Sequence, residues 1–306
     1  MLFAHEREFR VRSYECDAYG HANNATYLKW MQEVHLDALE NAREHLAPRL
    51  AAGILISWRE VDIEYLRPLR HGDTLVLETW PVGLSEKRWR WAYEFKKKIS
   101  SETVARAHSD SILLEGASGR RATLRAGLVP ASLPVGRRGT ALSSRRLPLP
   151  PPPPAGVFRM RRKVTWQEID PSRQVNVATL LSYATDCGME LSAAHRWPEA
   201  KMTAHGFGII SRRHRMVCGR PAVMDDELEI STWAYAPRGA TCMRTYVISR
   251  ARDNAMVMQL VSLYAWVDIA TWKPVRIPPQ FLEDFAPNIV GSEPKEMCGM
   301  IEGGRK

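Results

Sequence analysis

The feature that most constrains this chain is that it repeats itself. Asp17 recurs as Asp170, Asn23 as Asn176, Ala25-Thr26 as Ala178-Thr179, Leu28 as Leu181, Gly53 as Gly206, Arg59 as Arg212 and Arg67-Pro68 as Arg220-Pro221. The register continues through Asp73 and Asp226, Thr79-Trp80 and Thr232-Trp233, Tyr93 and Tyr246, and Val104 and Val257. Each difference is 153 (170 − 17, 233 − 80, 257 − 104), half of the 306 residues. A period of that length means one unit used twice, without net insertion between these anchors.

Each copy has to bury a face of its own. In the first, a polar loop beginning at Tyr14 leads into a pattern in which Tyr27, Leu28, Met31, Val34, Ala38, Leu39, Ala42 and Leu46 recur at three- and four-residue steps. That spacing predicts an amphipathic helix with one apolar stripe. Asn23 or Asn24 is placed to cap it, because a short side-chain oxygen accepts a bond from the open N–H groups of the first turn. Gly20 allows a tight backbone just before the cap.

Strands are predicted over 6–12, 54–66, 74–82, 87–99, 103–114 and 123–128. The clearest carries Trp89, Trp91, Tyr93 and Phe95 in alternation with Arg88, Arg90, Glu94 and Lys96, a period of two with one buried face. One long helix and about five antiparallel strands per copy imply an α+β unit, its curved sheet wrapped round the helix. Between the copies the unbroken run Pro150 to Pro154 is stiff and extended, about 3.1 Å per residue, and spans rather than folds. The expected divisions are a first unit over 1–129, a Pro-rich linker over 130–156, a second unit over 157–286 and a tail over 287–306.

Composition narrows the function. The chain is 45% hydrophobic and 25% charged, ordinary for a globular protein, with no apolar run long enough to cross a bilayer and an N-terminus too charged for a signal peptide. The expectation is a cytoplasmic protein that does not enter a membrane. Cys16, Cys187, Cys218, Cys242 and Cys298 are scattered and form no CxxC pair, which points away from a disulfide framework or a zinc site. Cys16 stands beside Asp17, whose charge raises a thiol pKa and weakens it as a nucleophile. The net charge of +9 favours an acidic partner, such as a nucleotide-bearing cofactor or an acidic carrier protein. No nucleic-acid-binding signature accompanies it.

At DAYGHANNATYLKW the sequence resembles the hot-dog thioesterases of the 4-hydroxybenzoyl-CoA thioesterase type, through Asp17, Gly20, His21, Asn23, Asn24 and Tyr27. The tandem arrangement is similar to that of the acyl-ACP thioesterases, which carry two hot-dog units in one chain. The resemblance implies two hot-dog units forming an intramolecular pseudo-dimer, able to pair further with a second chain. It also implies a thioester hydrolase acting on acyl-CoA or an acyl-carrier protein without metal or organic cofactor. Asp17 is then base or nucleophile, and backbone N–H groups around Gly20 to Asn23 at the helix N-terminus polarise the carbonyl. His21 either orients the carbonyl or water, shares a proton with Asp17, or shapes the loop. Tyr19, Asn24 and Tyr27 are candidates to face the substrate. In the acyl-ACP enzymes an asparagine follows the aspartate by two residues and a histidine by four; here those positions hold Tyr19 and His21.

The second copy keeps Asp170 and Asn176 but has Arg173 for Gly20 and Gln174 for His21. Because arginine lacks glycine's freedom at positive φ, the expectation is a differently shaped loop or a poorer cradle for the carbonyl, and one good site, on the first copy. Arg213 and Arg215 share a strand face where the first copy has Glu60 and Asp62, a basic strip suited to CoA phosphates or an acidic carrier, or else simply solvated. The competing readings are a hot-dog enoyl-CoA hydratase or dehydratase and a non-catalytic acyl-CoA-binding protein.

Overall fold

The computed structural model describes residues 4–40, 54–84, 89–115, 121–122 and 147–291. The first copy comprises β1 (His5–Arg10), a 3-10 turn (Ser13–Glu15), α1 (Asn24–Glu40), β2 (Ile54–Tyr65), β3 (Thr74–Leu84), β4 (Trp89–Lys97), β5 (Thr103–Glu115) and β6 (Arg121–Ala122). The second comprises β7 (Phe158–Lys163), a 3-10 turn (Trp166–Glu168), α2 (Val177–Ala194), α3 (Glu199–Ala204), β8 (Phe207–Cys218), β9 (Glu227–Arg238), β10 (Thr241–Arg250), β11 (Met256–Asp268), α4 (Pro279–Phe285), a 3-10 turn (Ala286–Asn288) and β12 (Ile289–Val290). The repeat seen in the sequence is kept at the level of elements: 158 − 5, 207 − 54, 227 − 74 and 256 − 103 are each 153. Strand order is the same in both, β1-β3-β4-β5-β2 in the first and β7-β9-β10-β11-β8 in the second. Leu39, Ala42 and Leu46 of the predicted helical stripe, the predicted strand over 123–128, and the linker as far as residue 146 lie outside what is described of side chain or backbone.

By internal contact the chain divides into two compact units. One is Met1–Arg146 with Trp166–Leu181 and Arg215–Cys218; the other is Leu147–Thr165, Ser182–His214 and Gly219–Lys306. The loop of the second copy therefore groups with the first unit.

In the first unit α1 lies on the sheet through its aromatic stripe. Tyr27 meets Tyr65 of β2 edge-on at 5.2 Å and Phe95 of β4 at 5.3 Å, while Trp30 sits 5.9 Å from Phe9 of β1. Leu28, Met31 and Val34 are fully buried, as are Val61, Ile63, Leu77 and Phe95 of the sheet. Each such side chain contributes about 2 kcal/mol by leaving water, so the stripe holds the helix more firmly than helix propensity does. Trp89, Trp91, Tyr93 and Phe95 are all buried on β4 and Arg90 between them is exposed, as the alternation predicts. Glu94 departs from it: this buried carboxylate accepts from Lys96, Thr103 and Arg106.

In the second unit Phe281 of α4 stacks on Phe285 at 4.2 Å and meets Trp197 and Trp266 at 5.3 and 5.4 Å. The chain beyond α4 corrects the expectation of a tail from residue 287. Asn288 is fully buried; its amide donates to Thr232 O at 2.9 Å and Gly156 O at 3.1 Å, and its Oδ1 accepts from Arg244 at 2.9 Å. β12 then adds to β9 in parallel. A buried amide satisfied on every side holds a segment with no apolar periodicity of its own. The proline-rich segment is docked: Trp233 Nε1 donates to Pro151 O and Tyr235 Oη to Pro148 O, each at 3.0 Å.

Candidate active site

The loop ahead of α1 is built by its own backbone. Cys16 and Ala22 form an isolated antiparallel bridge, closed by Asp17 N–H donating to His21 O at 2.8 Å and Gly20 N–H to Asp17 O at 2.9 Å. Gly20 takes φ of 71°, where glycine carries no Cβ penalty. Asp17 is exposed, and its Oδ1 accepts from the Tyr19 N–H at 2.9 Å and the His21 N–H at 3.1 Å. Among the described residues Oδ2 accepts no hydrogen bond. The carboxylate is thus held by one oxygen and presents the other.

Asn23 is the helix cap, its Oδ1 accepting from the Ala25 N–H at 2.9 Å. Asn24 is the first residue of α1, and its carbonyl accepts from Tyr65 Oη at 3.3 Å. The N–H groups expected to polarise a carbonyl are in use: Gly20 donates to Asp17 O, His21 to Asp17 Oδ1, Ala22 to Leu69 O at 2.7 Å and Asn23 to Glu15 O at 2.8 Å. Shaping so short a loop consumes its donors. What stands beside Asp17 is instead the end of α1, with its partial positive charge.

His21 is buried in the loop and bridges Arg70. Burial holds its imidazole below the ordinary range, Arg70 adds to this, and Asp17 opposes it, so His21 is neutral at pH 7. Burial and then Asp17 raise the Cys16 thiol, which keeps it protonated. Tyr27 is buried among aromatic rings, with its phenol pushed up by burial, and belongs to the core. Tyr19 is half-buried. The Leu69-Arg70 segment, which supports the loop from the side, was not singled out from the sequence; the repeated Arg-Pro pair just before it, Arg67-Pro68 and Arg220-Pro221, is the signal for that turn.

The second loop corrects the expectation of a different shape. Ile169 and Val175 form the equivalent bridge, Asp170 N–H donates to Gln174 O at 3.0 Å, and Arg173 N–H donates to Asp170 O at 2.8 Å. Arg173 occupies the glycine position at φ of 61°. The bonds of the turn impose the left-handed conformation on a residue that disfavours it. Asp170 Oδ1 accepts from both the N–H and the hydroxyl of Ser172. Asn176 caps α2 through the Thr179 N–H at 2.9 Å. The frame is the same; the side chains at the Gly20 and His21 positions differ.

Arg213 and Arg215 do not stand as a solvated basic strip. Arg213 is buried, and Arg215 Nε donates to Glu60 Oε1 at 2.8 Å. Both lie on β8. No group of three or more His, Cys, Asp or Glu side chains among the described residues is arranged to hold a metal, and no described helix is long and apolar enough to cross a membrane.

A long helix seated on a five-stranded antiparallel sheet, entered through a capped loop that presents an aspartate, defines the hot-dog class, and this chain contains it twice. Its first copy matches the model of the thioesterase-like superfamily over residues 11–151, and its second the model of the acyl-ACP thioesterase N-terminal domain over residues 155–285. Each copy thus matches one hot-dog thioesterase family. The chain is 29% identical over 111 residues to the acyl-acyl carrier protein thioesterase ATL3, chloroplastic, of Arabidopsis thaliana, covering 36% of this chain and 58% of that protein. It is 33% identical over 82 residues to the long-chain acyl-CoA thioesterase FadM of Escherichia coli, covering 27% of this chain and 61% of that one. The chain thus spans less than two thirds of these curated relatives. The 12:0-ACP thioesterase from Umbellularia californica shares the fold, with a TM-score of 0.67 at 14% identity over 85% of this chain and 93% of that one.

Proposed function

We propose that this protein hydrolyses acyl thioesters, releasing a carboxylic acid from coenzyme A or from an acyl-carrier protein, with the first copy carrying the working site. The observation that carries this reading is the Asp17 carboxylate, fixed through Oδ1 by two backbone N–H groups and open at Oδ2, at the N-terminus of a buried helix. Asp17 Oδ2 removes a proton from water as the water oxygen bonds to the thioester carbon. The positive end of α1 stabilises the negative charge that develops on the carbonyl oxygen. Collapse breaks the C–S bond, and the departing thiolate takes the proton from Asp17. Direct attack uses the same geometry: Oδ2 bonds to the thioester carbon as the C–S bond breaks and the thiolate leaves, and water then opens the mixed anhydride, regenerating the carboxylate and giving its proton to the thiolate. Neutral His21 keeps the loop in shape and stands beside Asp17 without drawing its proton.

The second copy, with Gln174 for His21, serves as partner and support, and its loop groups with the first unit. Both carrier-protein and CoA thioesterases are among the relatives, which supports testing both. Free-thiol release from short, medium, long and aromatic acyl-CoAs and from the matching acyl-carrier proteins is the experiment. Hydrolysis within either series is expected. Hydration of enoyl-CoA without thiol release, or tight thioester binding with no turnover, overturns the reading in favour of a hydratase or a binding protein.

A further inference from the structure

Among the described residues of the first unit, His35 Nε2, Trp89 Nε1, Trp91 Nε1 and Ser111 Oγ are buried without a hydrogen-bond partner. All four residues are at most 3% exposed. They form one patch. Trp89 faces Ser111 across β4 and β5, Trp91 faces Ser109 in the same register, and the His35 ring lies 4.6 Å from that of Trp91. At the edge of the patch Tyr93 Oη is bonded to His35 Nδ1 at 3.0 Å and Ser109 Oγ at 2.9 Å. An unbonded polar atom in a protein interior carries the full cost of its lost hydration, so such atoms are rare and a cluster of them needs a cause.

The duplicated copy supplies the comparison. At the positions 153 residues on stand Gly188, Cys242, Arg244 and Tyr264. Glycine has no group to satisfy; Cys242 Sγ donates to Tyr235 O at 3.5 Å, Arg244 donates to Asn288 Oδ1 at 2.9 Å, and Tyr264 Oη bonds Tyr246 Oη at 3.2 Å. At these four positions the second copy closes its polar groups onto itself, and the first leaves them open. Two of the open atoms are indole N–H groups, which only donate, so what they lack is an acceptor.

We propose that this patch beneath α1 recognises an oxygen atom, hydroxyl or oxo, carried on the acyl group of the substrate. The proposal rests on the thioesterase reading and names its substrate class. His35 lies eleven residues into α1 from Asn24, about 16 Å along the axis at the usual rise, which places the oxygen on the body of a medium or long acyl group and not beside the thioester carbon. The patch is closed to solvent in the chain by itself, so the acyl group reaches it by parting α1 from β4. Trp89, Trp91 and His35 give it flat walls, and Ser111 accepts or donates as the bound group requires.

The test compares medium-chain acyl thioesters with and without a hydroxyl or oxo group toward the far end, in wild type, Ser111→Ala and Trp91→Phe. The expected result is a kcat/KM about tenfold higher for the oxygenated substrate in wild type, the factor that one net hydrogen bond supplies, with the ratio falling toward one in both variants. Equal turnover of the two substrates in wild type, or a ratio that neither variant moves, overturns it; ordered water is then what fills the patch. If no thioester is cleaved, the thioesterase reading fails separately. Calorimetric titration with non-hydrolysable thioether analogues then decides the patch: about tenfold tighter binding of the oxygenated analogue sustains it, and equal or absent binding overturns it. Should Trp91→Phe fail to fold, the wild-type comparison and the near-isosteric Ser111→Ala remain decisive.

Discussion

Replacing Asp17 by asparagine separates the chemistry of the loop from its construction. Asparagine keeps an Oδ1 able to accept from the Tyr19 and His21 N–H groups, now 2.9 and 3.1 Å from the carboxylate, and it changes only the open oxygen into an amide. Bonds to a neutral acceptor are weaker than those to a charged one, and for two exposed bonds the loss comes to about 1 kcal/mol of stability. General-base assistance is worth about 10²- to 10⁴-fold in rate, about 3 to 5 kcal/mol in the barrier. Asp17→Asn is therefore expected to lower kcat by at least a hundredfold while its denaturation midpoint moves little. Asp17→Ala, which also removes both loop bonds, is expected to lose activity and further stability. The assay is free-thiol release beside a urea melt of each protein. Turnover of Asp17→Asn within tenfold of wild type refutes the assignment. Asp170→Asn is expected to lose far less; equal losses mean that both copies work.

Three further outcomes follow from the structure. Arg173→Gly removes a left-handed side chain that costs about 1–2 kcal/mol and adds back about 0.5–1 kcal/mol of glycine's chain entropy, so a gain of about 0.5–1 kcal/mol in chemical denaturation is expected, and a clear loss rejects the argument. Burial lowers both His35 and His214 from 6.5 to about 3, so each contributes stability that is present above pH 6.5 and lost as pH falls toward 3. Each is expected to cost the fold about 2 kcal/mol at pH 5, and His214→Val, which installs the residue found at position 61, is expected to flatten the acid limb of the stability curve. Asn288→Ala leaves Arg244, Thr232 and Gly156 without their buried partner and is expected to cost about 3 kcal/mol by urea midpoint. A cost below about 1 kcal/mol there means that water replaces the amide.

How much was legible in the sequence depended on whether a residue's role is local. The offset of 153 carried over to the starts of strands and to both loop bridges, because residue spacing and turn chemistry are local properties. The alternation on β4 and the capping asparagines were read correctly for the same reason. The conformation of Arg173 was not legible: propensity argues against it, and only the closed turn around it overrides that. The use of the loop N–H groups was missed because their acceptors, Leu69 O and Glu15 O, come from other segments of chain. The role of Asn288 is not legible in the sequence, because its partners at Gly156, Thr232 and Arg244 come together only in the fold. The basic strip on β8 failed similarly, since Glu60, which neutralises Arg215, is 155 positions distant.

The shared bridge and turn bonds of the two loops bear on how such a duplicated chain can change over time. A gene copy that loses its chemistry by collapsing its frame is hard to recover, since many residues must return together. Here the frame survives with Asp170 and Asn176 in place, although six of the eight residues from 170 to 177 differ from their counterparts. Under the one-site proposal the second loop is a retained frame, which side-chain changes alone can refit with no backbone to rebuild.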